Sequence, residues 1–211
     1  MTIPAIKLLP DPPAPNGIND FPFPPPAKVI LTIPLPNQTI IEKEYPMNVR
    51  LEKRITNQQL EFKQQWVRVN SCTITPDTPF TQEDSVTIGV AMSVGLREEF
   101  SASLGLKVGS FIDIGAKLSL SLSAEVSLAA AVTKKKIFNA KTEVVRASFM
   151  WWQLKSTYTV TGNRQWVVVF QGKDNFGQQV DFTNPLVSDE DVSVSTQFPA
   201  SVAASFLVSD I

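Results

Sequence analysis

The stretch SVTIGVAMSVGLREEFSASLGLKVGSFIDIGAKLSLSLSAEVSLAAAVT (85–133) alternates without a slip. Of its 24 even-numbered positions, 22 are apolar, Glu98 and Ser110 being the exceptions. Of its 25 odd-numbered positions, only Ala91, Phe111, Ala129 and Ala131 are apolar, and the rest are Ser, Thr, Gly, Lys, Arg, Asp or Glu. Strand side chains change faces with a period of two, so this segment carries one apolar face and one small, polar face. A helix would spread the same residues around its circumference.

A strand of this length, left straight, would reach ~160 Å at ~3.3 Å per residue, whereas ordinary strands have about five or six residues. The segment is therefore expected to fold back on itself, at Lys107–Asp113 and less plainly at Arg97–Glu99. Residues that face each other in a hairpin share a side of the sheet. Even positions must then pair with even positions, and the closing loop has an odd length. Gly109–Phe111 and Lys107–Phe111 both satisfy that condition.

Two architectures use such a hairpin. In a sandwich the apolar face packs on a core. In a transmembrane β-barrel it meets lipid, and the polar face lines a lumen. Three features favour the barrel. Gly89, Gly95, Gly105, Gly109 and Gly115 all lie on the polar face among many serines. The charges of Arg97, Lys107, Asp113, Lys117 and Glu125 on that face suit a wet lumen. Each arm is longer than a sandwich needs, while one bilayer crossing takes ~9–11 residues.

The expected lipid face is Phe100, Ala102, Leu104, Leu106, Val108, Ile112, Ile114, Ala116, Leu118, Leu120 and Leu122. The expected lumen face includes Ser101, Ser103, Lys107, Asp113, Lys117, Ser119, Ser121 and Glu125, with Glu98 outside the bilayer or at its rim. One hairpin cannot close a barrel, and an open strand edge in lipid leaves its N–H and C=O groups unpaired. Several copies must each donate one. In water the same stripe has to be hidden, so the segment needs two conformations.

Composition narrows the chemistry. The 211 residues are enough for one large domain. The charged fraction is 18%, against about 25% in ordinary globular chains, and the net charge of −1 gives no basic excess for nucleic acid. The chain has no His and a single Cys, Cys72. A Ser-His-Asp triad, a Cys-His pair and His-ligated zinc are thereby excluded, as is a disulfide within the chain. The expectation is a non-enzymatic protein with no cofactor and no metal. Asp189, Glu190 and Asp191 lack the spacing of an EF-hand loop and read as a solvated turn.

Twelve of the sixteen prolines fall in residues 1–46. Residues 1–27 read as a Pro-rich extended arm lying on the body or on a neighbouring subunit, because Pro fixes φ and removes a donor. Residues 28–211 read as one elongated β-rich module, all-β, with long twisted antiparallel strands and the mid-chain hairpin at about 85–133. VILTIPLP (29–36) is an expected edge strand, Val67–Ile74 a strand holding Cys72, and TPDTPFTQED (75–84) a loop. Gly162–Asn163 and GKDNFG (172–177) are expected turns. No stretch of ~18 apolar residues offers a transmembrane helix, and the N-terminus has no apolar run of the secretory kind.

The densest aromatic patch is Phe149, Met150, Trp151, Trp152 and Tyr158. Neighbours on a strand point oppositely, so one Trp is expected in a core and the other exposed, where it would offer a membrane or receptor contact. Trp66 and Trp166 read as core. Lys134–Lys136 ends the alternating segment as a solvated strand end or a guard against edge pairing, the sharper alternative being attraction to anionic headgroups.

SVTIGVAMSVGL (85–96), FSASLGLKVGSFIDIGAKLSLSLSAEVSLAAAV (100–132) and the flank FMWWQLKSTYTVT (149–161) resemble, in pattern and order, the aerolysin-like β-pore-forming proteins. The resemblance covers roughly residues 40–165. It implies a soluble, elongated protein that assembles into a homo-oligomeric ring on a target-cell membrane and inserts a β-barrel. Members of that family usually carry a separate receptor-binding domain, and the Pro-rich arm is too small for one. The alternative reading is a β-rich structural or interaction protein whose long strands and arm mediate assembly.

Overall fold

The computed structural model describes residues 9–76, 78–88, 101, 132–143, 145–186 and 189–208. Their strands are, in chain order, β1 (Lys28–Pro34), β2 (Gln38–Tyr45), β3 (Val49–Ile74), β4 (Phe80–Ile88), β5 (Val132–Ala140), β6 (Ala147–Lys173), β7 (Gln179–Pro185) and β8 (Glu190–Val208). The protein is all-β, and its pairings are antiparallel throughout the described residues.

Two strands set the architecture. β3 has 26 residues and β6 has 27, and neither contains a proline, so every residue can donate to a ladder. They pair along their whole length, from Val49 opposite Phe170 to Ile74 opposite Ala147. At ~3.3 Å per residue this ladder is roughly 85 Å long. Each outer edge is covered in two instalments. β2 pairs along Val49–Ile55 and β1 along Gln59–Gln64, while β7 pairs along Val167–Lys173 and β8 along Ala147–Arg164. β1 ends at Pro34 on the edge, where a missing N–H costs no ladder bond.

Gly162–Asn163 is not a turn. Both residues lie inside β6, opposite an irregularity where Thr56 pairs with Asn163 and Gln59 with Thr161. The extra residue belongs to β3, with Asn57 in the left-handed region at φ 51°. A Cβ on Gly162 would come within 3.1 Å of both Gln58 Cγ and the Thr56 carbonyl oxygen. The glycine makes room for a bulge rather than a reversal. The GKDNFG turn is real and joins β6 to β7. The 75–84 loop is shorter than its composition suggested, since β4 starts at Phe80.

At the Ile74–Ala147 end the sheet is covered on both faces. On one, Ile74, Ala147 and Trp151 pack with Val86, Phe138 and Ala140 of the β4–β5 pair. On the other, Trp66, Met150 and Trp152 pack with Leu9 and Phe21 of the N-terminal arm. Prolines 10 and 13 supply carbonyls there. Trp66 Nε1 donates to Pro10 O at 3.0 Å, Trp152 Nε1 to Pro13 O at 2.9 Å, and Ser205 Oγ to Pro13 O at 2.7 Å. Farther along, Gln65 Nε2 donates to Pro25 O at 3.2 Å. Proline brings an acceptor without a donor to satisfy, and its fixed φ lowers the entropy lost when the arm docks.

Toward the middle of the sheet the Phe62 and Tyr158 rings stack at 4.7 Å between centroids. Burial pushes the Tyr158 hydroxyl well above its ordinary range. At the far end Glu52 is buried between Arg50 (2.6 Å) and Arg54 (2.8 Å), and Arg50 also reaches Asp181 of β7 at 2.6 Å. Burial pushes the Glu52 carboxyl up. The hydrogen bonds from the two arginines outweigh that and hold it below the usual carboxylate range.

Trp152→Ala should cost about 3–5 kcal/mol in urea unfolding, because the indole is fully buried and hydrogen-bonded, while Phe23→Ala at an 87% exposed site should stay within about 0.5 kcal/mol. Folded Tyr158 keeps its proton above the pH at which an unfolded tyrosine loses it, about 10. Its contribution to stability is therefore level below that pH and falls as pH rises beyond it. Thermal melts between neutral and strongly alkaline pH should show that fall, and Tyr158→Phe should shrink it.

Candidate insertion hairpin and its seat

The ends of the alternating segment lie in β4 and β5. Phe80 faces Ala140 and Ile88 faces Val132, with nine consecutive pairs and no bulge. Even-numbered residues therefore face even-numbered residues throughout. On that face Val86, Phe138 and Ala140 are buried, and on the other Thr81, Glu83, Lys135 and Asn139 are exposed. At the end of the pair nearest the rest of the alternating segment, Val132 and Lys134 of β5 are exposed, while Val86 and Ile88 opposite them on β4 still pack on the core.

β4 and β5 form a two-stranded sheet of their own and share no ladder with the six-stranded sheet. Side chains hold them in place. The Phe80 ring stacks on Trp151 at 5.9 Å and Phe138 tilts against it at 5.4 Å. Two polar ties flank this cluster. Gln153 Nε2 donates to the Thr87 carbonyl at 2.7 Å, and Asn70 Nδ2 donates to Asp84 Oδ2 at 2.7 Å. On the outer face Lys135 pairs with Glu83 at 2.7 Å, both largely solvated, and the Thr87 and Thr133 hydroxyls meet at 3.0 Å. Lys136 lies over the Phe138 ring at 5.9 Å. A pair of strands held this way can leave its seat without breaking a backbone bond of the β3–β6 ladder.

The expected lipid-face residues Phe100, Ala102, Leu104, Leu106, Val108, Ile112, Ile114, Ala116, Leu118, Leu120 and Leu122 lie outside the described residues. So do Ser103, Lys107, Asp113, Lys117, Ser119, Ser121 and Glu125 of the expected lumen face, and Ser101 is described and buried. Trp151 and Trp152 do point to opposite sides of β6, but both are buried. Alternation predicted one exposed indole. It failed because the β4–β5 pair covers one face and the arm covers the other. Trp66 is core, and Trp166 is half-buried with Lys53 over its ring at 5.8 Å.

Asn70, Asp84, Thr87 and Gln153 drew no notice in the sequence. They are ordinary polar residues in strands, and nothing in their spacing marks them as partners. Glu190 pairs with Arg164 and Asp191 accepts from Asn163, and among the described residues no group of acidic or thiol side chains could hold a metal. Burial pushes the half-buried Cys72 thiol up, which makes it less reactive. A cleft of about 420 Å³ lies between Asn57, Thr161, Asn163 and Asp191.

Gln153→Ala combined with Asn70→Ala should speed amide hydrogen exchange in 80–88 and 132–140 while β3 and β6 amides keep their protection. Glu83→Ala, which removes only a solvated ion pair, should change stability by less than about 0.5 kcal/mol. No protein-family model matches the chain, and no curated protein matches it.

Proposed function

We propose that this protein is a β-barrel pore-former of the aerolysin-like kind. In this reading a soluble form gathers into a ring on a target membrane, and each copy contributes one hairpin to a shared barrel. The observation that carries it is the unbroken alternation of 85–133 over 49 residues. The β4–β5 pair supports it, because even residues face even residues there and the pair belongs to a sheet of its own.

The same register, continued without a bulge, would pair Val108 with Ile112 and leave Gly109–Phe111 as the closing loop. Of the two loops that parity allows, this favours the shorter. All the even side chains of both arms would then share one face, as lipid exposure requires. Insertion would be a swing of β4–β5 out of its seat on Trp151, with the Gln153–Thr87 and Asn70–Asp84 bonds released. Residues that cannot stay apolar-side-out in water would exchange one cover for lipid.

The test is dye release from liposomes at neutral and acidic pH, with and without limited proteolysis. In a Cys72→Ser background, Leu118→Cys, Ser119→Cys, Leu120→Cys and Ser121→Cys would each carry an environment-sensitive fluorophore. Release together with an apolar signal at 118 and 120 and a wet one at 119 and 121 is expected. No release, with the same alternation in lipid-free solution, would sink the proposal and leave the stripe as a core face of an assembly protein.

A further inference from the structure

The end of the long sheet opposite the arm presents apolar side chains that packing does not explain. Two adjacent turns form it. Tyr45 pairs with Val49 across the residues Pro46, Met47 and Asn48, and Lys173 pairs with Gln179 across residues 174–178. Gln171 N donates to Asn48 O at 3.0 Å and joins the two. Met47 is 84% exposed at one tip and Phe176 is 89% exposed at the other.

Both tips are held rather than loose. Asp174 Oδ1 accepts from the amides of Phe176 (2.9 Å) and Gln178 (2.8 Å), and Gly177 takes φ 75°. Met47 and Asn48 lie at φ 62° and 57°. Asparagine tolerates that region, but methionine rarely adopts it. Turn tips are normally polar, and these two are not.

Behind the tips, an aromatic row crosses the sheet on one face. Tyr45 faces Val49, Val49 faces Phe170, and Phe170 faces Phe182. Tyr45, Phe170 and Phe182 are all exposed. Gly172 leaves space for the ring pair, since a Cβ there would come within 2.9 Å of Phe182 and 3.0 Å of Phe170. Charge is divided by face. Arg50, Glu52 and Asp181 neutralise one another on the opposite side, and the Asp174 carboxylate is turned into its own loop. On the aromatic side Lys43 stands over the Tyr45 ring at 4.9 Å, and Lys53 pairs with Glu42.

We propose that this end of the sheet, with Met47 and Phe176 at its tips, Tyr45, Phe170 and Phe182 behind them and Lys43 at their side, docks on the interface of a phospholipid bilayer. Two projecting apolar points suit a fluid surface better than a shaped pocket. An aromatic band with a lysine beside it matches the acyl boundary and the phosphate layer above it. The site would give this chain a membrane attachment of its own. The membrane as target rests on the pore-forming reading, but attachment is read separately from release.

Sedimentation with phosphatidylcholine vesicles, with and without phosphatidylserine, measures it. Met47→Asn with Phe176→Asn should lower vesicle binding more than tenfold. Asparagine suits both turns, so the melting temperature should hold or rise. Lys43→Glu should lower binding chiefly to the phosphatidylserine vesicles. Phe176→Trp should bind and gain quenching by lipids brominated on the acyl chains. Undiminished binding of the double variant, no added quenching, or no binding of the wild-type chain to any vesicle would overturn the proposal. Dye release that persists alongside undiminished binding would leave the pore reading standing without this site. Lost binding by the double variant, in a protein that never releases dye, would do the reverse.

Discussion

A sheet with apolar side chains on both faces must be covered twice, and that constraint shapes the Ile74–Ala147 end of this protein. Two side chains in succession on β6, Trp151 and Trp152, are indoles, and strand geometry sends them to opposite sides. Neither can be left to water without exposing a large apolar surface, and each indole N–H that is buried needs an acceptor. The chain covers both indoles with segments drawn from far apart in sequence, and gives Trp152 its acceptor from the arm. The arm contributes proline carbonyls to Trp66 and Trp152, and β4–β5 contributes Phe80 and Phe138 to Trp151.

The two covers differ in how they are fastened. The described part of the arm, from residue 9, is tied by hydrogen bonds to β3, β6 and β8, including the Asn19 amide to Ser148 Oγ at 3.1 Å. The β4–β5 pair is held by ring contacts and two flanking polar ties. Its own ladder, nine pairs without a bulge, is the stiffer part. A rigid pair on a side-chain seat is suited to moving as a unit, whereas the β3–β6 ladder is suited to staying as it is. That contrast gives the proposed insertion step a physical basis.

The opposite end solves a different problem. There the buried charge of Glu52 is met by Arg50 and Arg54, and Arg50 carries the network across to β7. With the Arg50–Glu52–Asp181 network on one face, the other carries the aromatic rings, Lys43 over Tyr45 and the Lys53–Glu42 pair, with two apolar turn tips beyond them. In a chain with 18% charged residues, the buried part of this pairing lies on the face away from the rings.

The all-β class was legible in the sequence, as was the strict two-residue period of 85–133, because strand alternation and turn chemistry are local rules. The same rules misplaced Gly162–Asn163, where a glycine serves a bulge contributed by a strand more than a hundred residues earlier, and a dipeptide cannot disclose its cross-strand partner. They also predicted an exposed tryptophan at 151 or 152. Alternation says which way a side chain points, but not what lies in that direction. The tertiary structure alone decided that the arm and the β4–β5 pair fill those two directions, that Gln153 and Asn70 are their fastenings, and that Met47, Phe170, Phe176 and Phe182 meet at one end. Those facts depend on which distant segments the long ladder brings together, and pairing register is a property of the folded sheet.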